Sequence, residues 1–198
     1  MKSFVPIASC KQNLNFEKLK QLDQSSITTD WYGNKLDYDW SFCFAKDPAK
    51  LFFLAQSNCP VALKPAAQPG QFVKGLWEYT VAEFFLFDSQ NNRYQEFNVS
   101  PNGSWWSCCF SSCRAELQEA SSLKDSVKVF TESTKQYWLA GLAIPIGGLF
   151  LPWSPNLRVQ TCGVIKSDQD LYLANNNAPS LEADFHRLDL ALPFKEVA

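Results

Sequence analysis

Two stretches of the chain set carboxylates and amides beside flat aromatic rings: "LWEYTVAEFFLF" at 76–87 and "RYQEFNVSPNGSWWSCCF" at 93–110. Carboxylate and amide groups hydrogen-bond the hydroxyls of a polyol, while an indole covers the apolar C–H face of a pyranose. The two together are the composition of a sugar-binding surface. Glu96, Asn98 and Trp105 supply these groups in the second stretch, and Trp77 and Glu83 in the first. Period-two alternation puts Trp77, Tyr79, Val81, Glu83, Phe85 and Phe87 on one face of a strand, so Glu83 sits among aromatics. An unpaired charge there is expensive, and the group must find a donor or hold a proton. Three uses are open to Glu83: a buried structural acid tying its strand to a neighbour, a ligand or calcium contact, and catalysis. The last has least in its favour.

Other chemistries find less to work with. Cys108, Cys109 and Cys113 form a "CCFSSC" cluster, but no second separated pair completes a zinc tetrad, and adjacent strand residues point to opposite faces. His186, the only histidine, lies in "ADFHRLD" near Asp184 and Asp189. No G-x-S-x-G or related nucleophile turn accompanies it, so a packing or surface role is expected. Gly147-Gly148 lacks the spacing of a phosphate loop. No catalytic residue, metal site or cofactor is called for, and the chain reads as a non-enzyme. A formal net charge of −2 offers no basic surface for nucleic acid or for an anionic membrane.

The elements that position these residues are marked out by turns: "KDPAK" at 46–50, "QPGQ" at 68–71, "SQNNR" at 89–93, "SPNGS" at 100–104, "IGG" at 146–148, "SPN" at 154–156 and "KSDQD" at 166–170. Short runs rich in aromatic and β-branched residues lie between them, the pattern of an all-β sandwich or barrel. Strands are expected at about 40–45, 51–56, 77–87, 94–100, 105–110, 127–132, 137–145, 157–165 and 171–174. Only 16–22 and 116–123 suggest short helical turns. Pro101 and Gly103 suit the second and fourth positions of a type I turn, which would make a hairpin with Val99 facing Ser104, Asn98 facing Trp105 and Phe97 facing Trp106. Phe97, Val99, Trp106 and Cys108 would then enter the core, and Tyr94, Glu96, Asn98 and Trp105 would share the opposite face.

A length of 198 residues suits one domain spanning 1–198, and 46% hydrophobic and 15% aromatic content is enough for a thick core. The apolar run after Lys2 is short and broken by Pro6, so no secretory signal is expected. Seven cysteines, an odd number, are then read as reduced thiols in a cytoplasm. The uncharged run 137–153 is shorter than a membrane helix needs and contains Pro145, Gly147, Gly148 and Pro152, so it reads as a buried strand and a turn.

"GLWEYTVAEFFLF" followed by "YQEFNVSPNGSWWSCCFSSCR" resembles the DOMON-like proteins related to family 9 carbohydrate-binding modules. Bacterial members carry G-L-W-x-x-T-x-x-E-x-F and then Y-x-E-F-N-x-S-P-x-G-x-W, matched here by Gly75, Leu76, Trp77, Thr80, Glu83 and Phe85, then by Tyr94, Glu96, Phe97, Asn98, Ser100, Pro101, Gly103 and Trp105, with Arg114 beyond. The closing "LYLANNNAPSLEADFHRLDLALPF" is similar to the family's tail, with Asp184, Phe185 and His186 matching its Asp-Phe-His turn. The resemblance covers about residues 40–194. It implies a two-sheet antiparallel β-sandwich of jelly-roll or immunoglobulin-like kind that binds a carbohydrate without catalysis. Haem, bound in some DOMON branches, is not expected, because the only Met is Met1 and the only His is His186. Trp105 and Trp77 would stack on the sugar, and Glu96, Asn98 and Glu83 would take its hydroxyls. The alternative is a protein interaction module, or a homodimer, using the aromatic sheet face.

Overall fold

A computed structural model of the chain describes residues 3–11, 14–179 and 181–197. Met1 and Lys2, which enter the haem and secretion readings, lie outside them. The aromatic runs become strands: β1 (Val5–Ser9), β2 (Ser25–Thr29), β3 (Lys35–Lys46), β4 (Lys50–Ser57), β5 (Val81–Asp88), β6 (Arg93–Val99), β7 (Trp105–Ser112), β8 (Ala115–Glu119), β9 (Lys128–Ser133), β10 (Trp138–Pro145), β11 (Leu157–Ile165), β12 (Leu171–Ala174) and β13 (Leu192–Val197). One four-residue helix, α1 (Phe16–Leu19), is capped by Asn15, whose Oδ1 accepts from the Lys18 N–H at 3.0 Å.

The strands join in one mixed sheet, in the order β8-β7-β6-β5-β11-β13-β1-β3-β4-β10-β9, with β12 on β11 and β2 on β3. Two separate antiparallel sheets were expected; instead, β1 runs parallel to both β13 and β3 and joins the two halves. The continuous sheet curls so that its halves face each other. Phe44 and Phe53 of β3 and β4 meet Phe84 of β5 at ring-centroid distances of 5.3 and 4.7 Å. Phe84 in turn stacks on Phe97 at 4.8 Å. This is the main core, and its alternation along β5 (Ala82, Phe84, Leu86 inward) is the one that the period of two predicts.

The other face of β5, β6, β7 and β11 is covered too. Leu76, Trp77, Phe185 and Leu190 pack over Val81, Phe85, Phe87, Tyr94, Trp106 and Phe110, making a second apolar layer. Trp77 does not belong to β5: residues Leu76–Glu78 form a 3-10 turn after Gly75, whose φ is 84°. The expected helical turn at 116–123 is instead β8 followed by a 3-10 turn at Ser121–Leu123. A two-residue turn at Cys113 and Arg114 folds "AELQE" back onto β7 as an exposed edge strand. Among the described residues, no helix is long and apolar enough to cross a membrane.

The β6–β7 hairpin is one residue out of the expected register. The Ser100 N–H donates to Ser104 O at 2.9 Å and the Gly103 N–H to Ser100 O at 2.8 Å, with Gly103 left-handed at φ 84°. Gly103 is thus an extra residue, a type I turn followed by a glycine bulge, so Val99 pairs with Trp105 and Asn98 with Trp106. The slip exchanges the two indoles between faces.

Candidate functional site: an acid-floored cleft on the outer sheet face

The register correction decides which tryptophan reaches the site. Trp105 is buried in the main core at 1% exposure, edge-on to Phe72 at 4.9 Å, and offers no stacking face to solvent. Trp106 takes its place on the outer face and supports Trp77, with ring centroids 5.1 Å apart. The half-buried Trp77 is the ring that borders open space. These side chains line a cleft of about 500 Å3 whose floor carries Glu83 and Glu96. It extends across the strand row to β12, where half-buried Tyr172 borders it.

Glu83 and Asn98 pair across β5 and β6, and Glu96 precedes Asn98 by two residues on the same face. Asn98 Nδ2 donates to Glu96 Oε1 at 3.0 Å. Glu83 Oε1 and Asn98 Oδ1 are buried without a hydrogen-bond partner. Burial drives both acids toward the neutral form. It raises Glu83 well above the usual carboxylate range, aided by the charge of Glu96. It pushes Glu96 up to about 7 even though the bond from Asn98 opposes the shift. Glu83 is therefore an internal acid, but one that faces the cleft and lacks the satisfying bond expected of a structural tie.

His186, expected to pack or lie on the surface, borders the cleft. Tyr94 Oη lies 2.7 Å from His186 Nδ1 and accepts the Arg114 N–H at 2.9 Å. The phenol thus engages Nδ1 and leaves Nε2 as the ring nitrogen it does not hold. Nε2 stands 4.0 Å from Glu96 Oε2. Burial, and after it the charge of Arg114, lowers His186 to about 4, so it is neutral at pH 7 and this contact is not an ion pair. Arg114 adopts φ 57° and ties the tail to the hairpin through Asp184 Oδ1 at 2.7 Å. Asp184 Oδ1 also accepts the His186 N–H at 3.0 Å.

The structure thus brings Trp77, Glu83, Glu96 and Asn98 together and removes Trp105. It adds Trp106, Arg114, Tyr172 and His186. Arg114 and His186 stand in the motifs quoted above, so their signal was present; Trp106 required the correct register. Tyr172, in "LYLA", carries no local sign that distinguishes it. Among the described residues, no group of three His, Cys, Asp or Glu side chains is placed to hold a metal ion.

This curled sheet is the fold of the family 9 carbohydrate-binding modules. A module of that family from Caldicellulosiruptor kristjanssonii superposes with a TM-score of 0.60 in its glucose complex, over 98% of this chain and 95% of the module, at 11% identity. Its cellotriose complex gives 0.61 over 96% and 92%, at 12% identity. A candidate carbohydrate-binding protein from Bacteroides uniformis reaches 0.72 over 96% and 97%, at 15% identity. In sequence, the chain is 28% identical over 185 residues to a rat protein, UPF0462 protein C4orf33 homolog, covering 81% of this chain and 86% of that one. No family model matches.

Proposed function

We propose that this chain is a non-catalytic carbohydrate-binding domain whose outer-face cleft takes a sugar or related polyhydroxylated ligand. One observation carries the proposal: a half-buried indole, Trp77, borders a cleft floored by Glu96 and Glu83 and reached by the imidazole of His186. A ring face for C–H contacts beside fixed polar groups is what a pyranose requires. The fold supports the reading, since modules of the same shape are known in complex with glucose and cellotriose.

Binding is favoured over hydrolysis by where the acids stand. Glycoside hydrolysis uses two carboxyls that flank the scissile bond. Glu83 and Glu96 rise from neighbouring strands of one floor, on the same face. The docking alternative needs an exposed aromatic sheet face, and the aromatics of that face lie largely under Leu76, Trp77, Phe185 and Leu190. A reducing compartment such as the cytoplasm suits the chain, all seven of whose cysteines are free.

A glycan array followed by soluble-sugar titration, read by tryptophan fluorescence and thermal shift, tests the proposal. Binding by the wild type and its loss in Trp77→Ala, with an unchanged far-UV spectrum, is the expected result. No response to any mono-, oligo- or polysaccharide would reject it.

A further inference from the structure

The floor of the cleft is short of positive charge. Glu83 is 2% exposed, and its Oε1 has no donor. One oxygen of Glu96 is taken by Asn98, and the other has only a neutral imidazole at 4.0 Å. The cations at the rim serve other acids: Arg114 pairs with Asp184, Lys74 with Glu116 and Lys166 with Asp170. Lining acids outnumber lining bases by four (Glu78, Glu83, Glu96, Glu116) to two (Arg114, Lys166).

We infer that the cleft is built for a ligand bearing one cationic amino group beside its hydroxyls, an amino sugar with a free ammonium rather than a neutral hexose. This rests on the reading of the cleft as a sugar site and names its ligand class. Burial raises both acids, with the charge of Glu96 adding to the rise at Glu83, but Glu96 only to about 7, so near neutral pH the floor carries part of a negative charge on Glu96. A hydroxyl donated to that charge satisfies a lone pair but leaves the charge uncompensated. An ammonium does both, and charge-assisted hydrogen bonds are roughly twice as strong as neutral ones. The adjacent face of Trp77 attracts the same group through its quadrupole. Because no three metal-ligating side chains converge among the described residues, the donor set favours an organic cation over a metal ion.

The test is calorimetric titration of the full chain at neutral pH with glucosamine, glucose and N-acetylglucosamine. These share a ring, but only the first is charged. Glucosamine should bind about tenfold or more tightly than glucose, a difference of about 1.4 kcal/mol. N-acetylglucosamine should fall back to the level of glucose. In Glu96→Gln, the ratio of glucosamine to glucose affinity should collapse toward one; if that variant does not fold, the wild-type ratio should itself fall toward one as pH is lowered from 7 to 5 and Glu96 gains its proton. Equal affinities for the three sugars in the wild type would overturn the inference and leave the sugar site standing. Binding of none of them would overturn the inference, while the sugar site itself would stand or fall by the oligo- and polysaccharide screen above.

Discussion

Trp105 and Trp106 are neighbours in the chain but belong to different layers, so their substitutions should separate stability from binding. Trp105 fills the main core against Phe72. Trp105→Ala should destabilise the protein by about 3–5 kcal/mol, read as a lower urea midpoint. Trp77→Ala, at a half-buried ring over the cleft, should cost less than this and abolish sugar binding. At Glu96 the stability difference from the wild type depends on pH. Its folded-state pKa of about 7 lies above the ordinary carboxylate value, so the folded protein holds the proton more tightly than the unfolded chain does. That contribution is full below the unfolded value and is lost as pH rises through about 7. His186, lowered to about 4, acts in the opposite sense, losing stability as pH falls below its ordinary value. Comparing Glu96→Gln with the wild type cancels the histidine to first order. The melting temperature of the variant should therefore gain on the wild type by several degrees between pH 5 and pH 8, and a constant difference across that range would refute the assignment.

The β6–β7 hairpin and the β7–β8 turn make the cleft, and each hinges on a residue with positive φ. Gly103 at φ 84° is the bulge that sends Trp106 outward, and a Cβ there would stand 2.6 Å from Thr131 Cγ2. Gly103→Ala should cost about 2–3 kcal/mol from left-handed strain and the clash together, seen in the denaturation midpoint. Arg114 holds residues 184–186 against the hairpin through its side-chain bond to Asp184, while its N–H donates to Tyr94 Oη within the sheet. Arg114→Ala should speed amide exchange across 183–187 while leaving β5 and β6 protected. These elements also mark how far the sequence could be read. Alternation placed Glu83, Phe85 and Phe87 together, and Glu96 with Asn98, because β5 and β6 are covered on both faces by side chains that obey the pleat. The match ended at Gly103, since a type I turn with and without a bulge uses the same residues and differs only by one step of register. β8 escaped detection because "AELQE" is an edge strand whose polar residues face water and resemble a helix as readily. Arg114 and His186 lie far apart in sequence, and only the fold shows that Tyr94 Oη joins them.

At the scale of the whole molecule, the decisive contacts are those of β1. The sequence shows it only as "VPIAS", and nothing local reveals that it pairs in parallel with β3 on one side and β13 on the other. Parallel partners are set by topology, so the runs that predict each strand carry no record of them. Yet among the described residues β1 alone links β13 to β3 in the sheet order, with Ile7 fully buried between the halves. Removing residues 1–9 would expose two long strand edges and open the curl from which the core rings of Phe44 and Phe84 approach each other. The truncated chain should lose its cooperative unfolding transition and aggregate, whereas Ile7→Val, which deletes one methylene, should keep the transition and shift it by only about 1 kcal/mol. Equilibrium denaturation followed by light scattering distinguishes the two. A truncated chain that still unfolds in one sharp step would mean that the two halves hold together through their facing aromatic rings alone. In that case the cleft on the outer face of β5, β6 and β7 would survive without β1, and sugar binding by the truncated chain would show it directly.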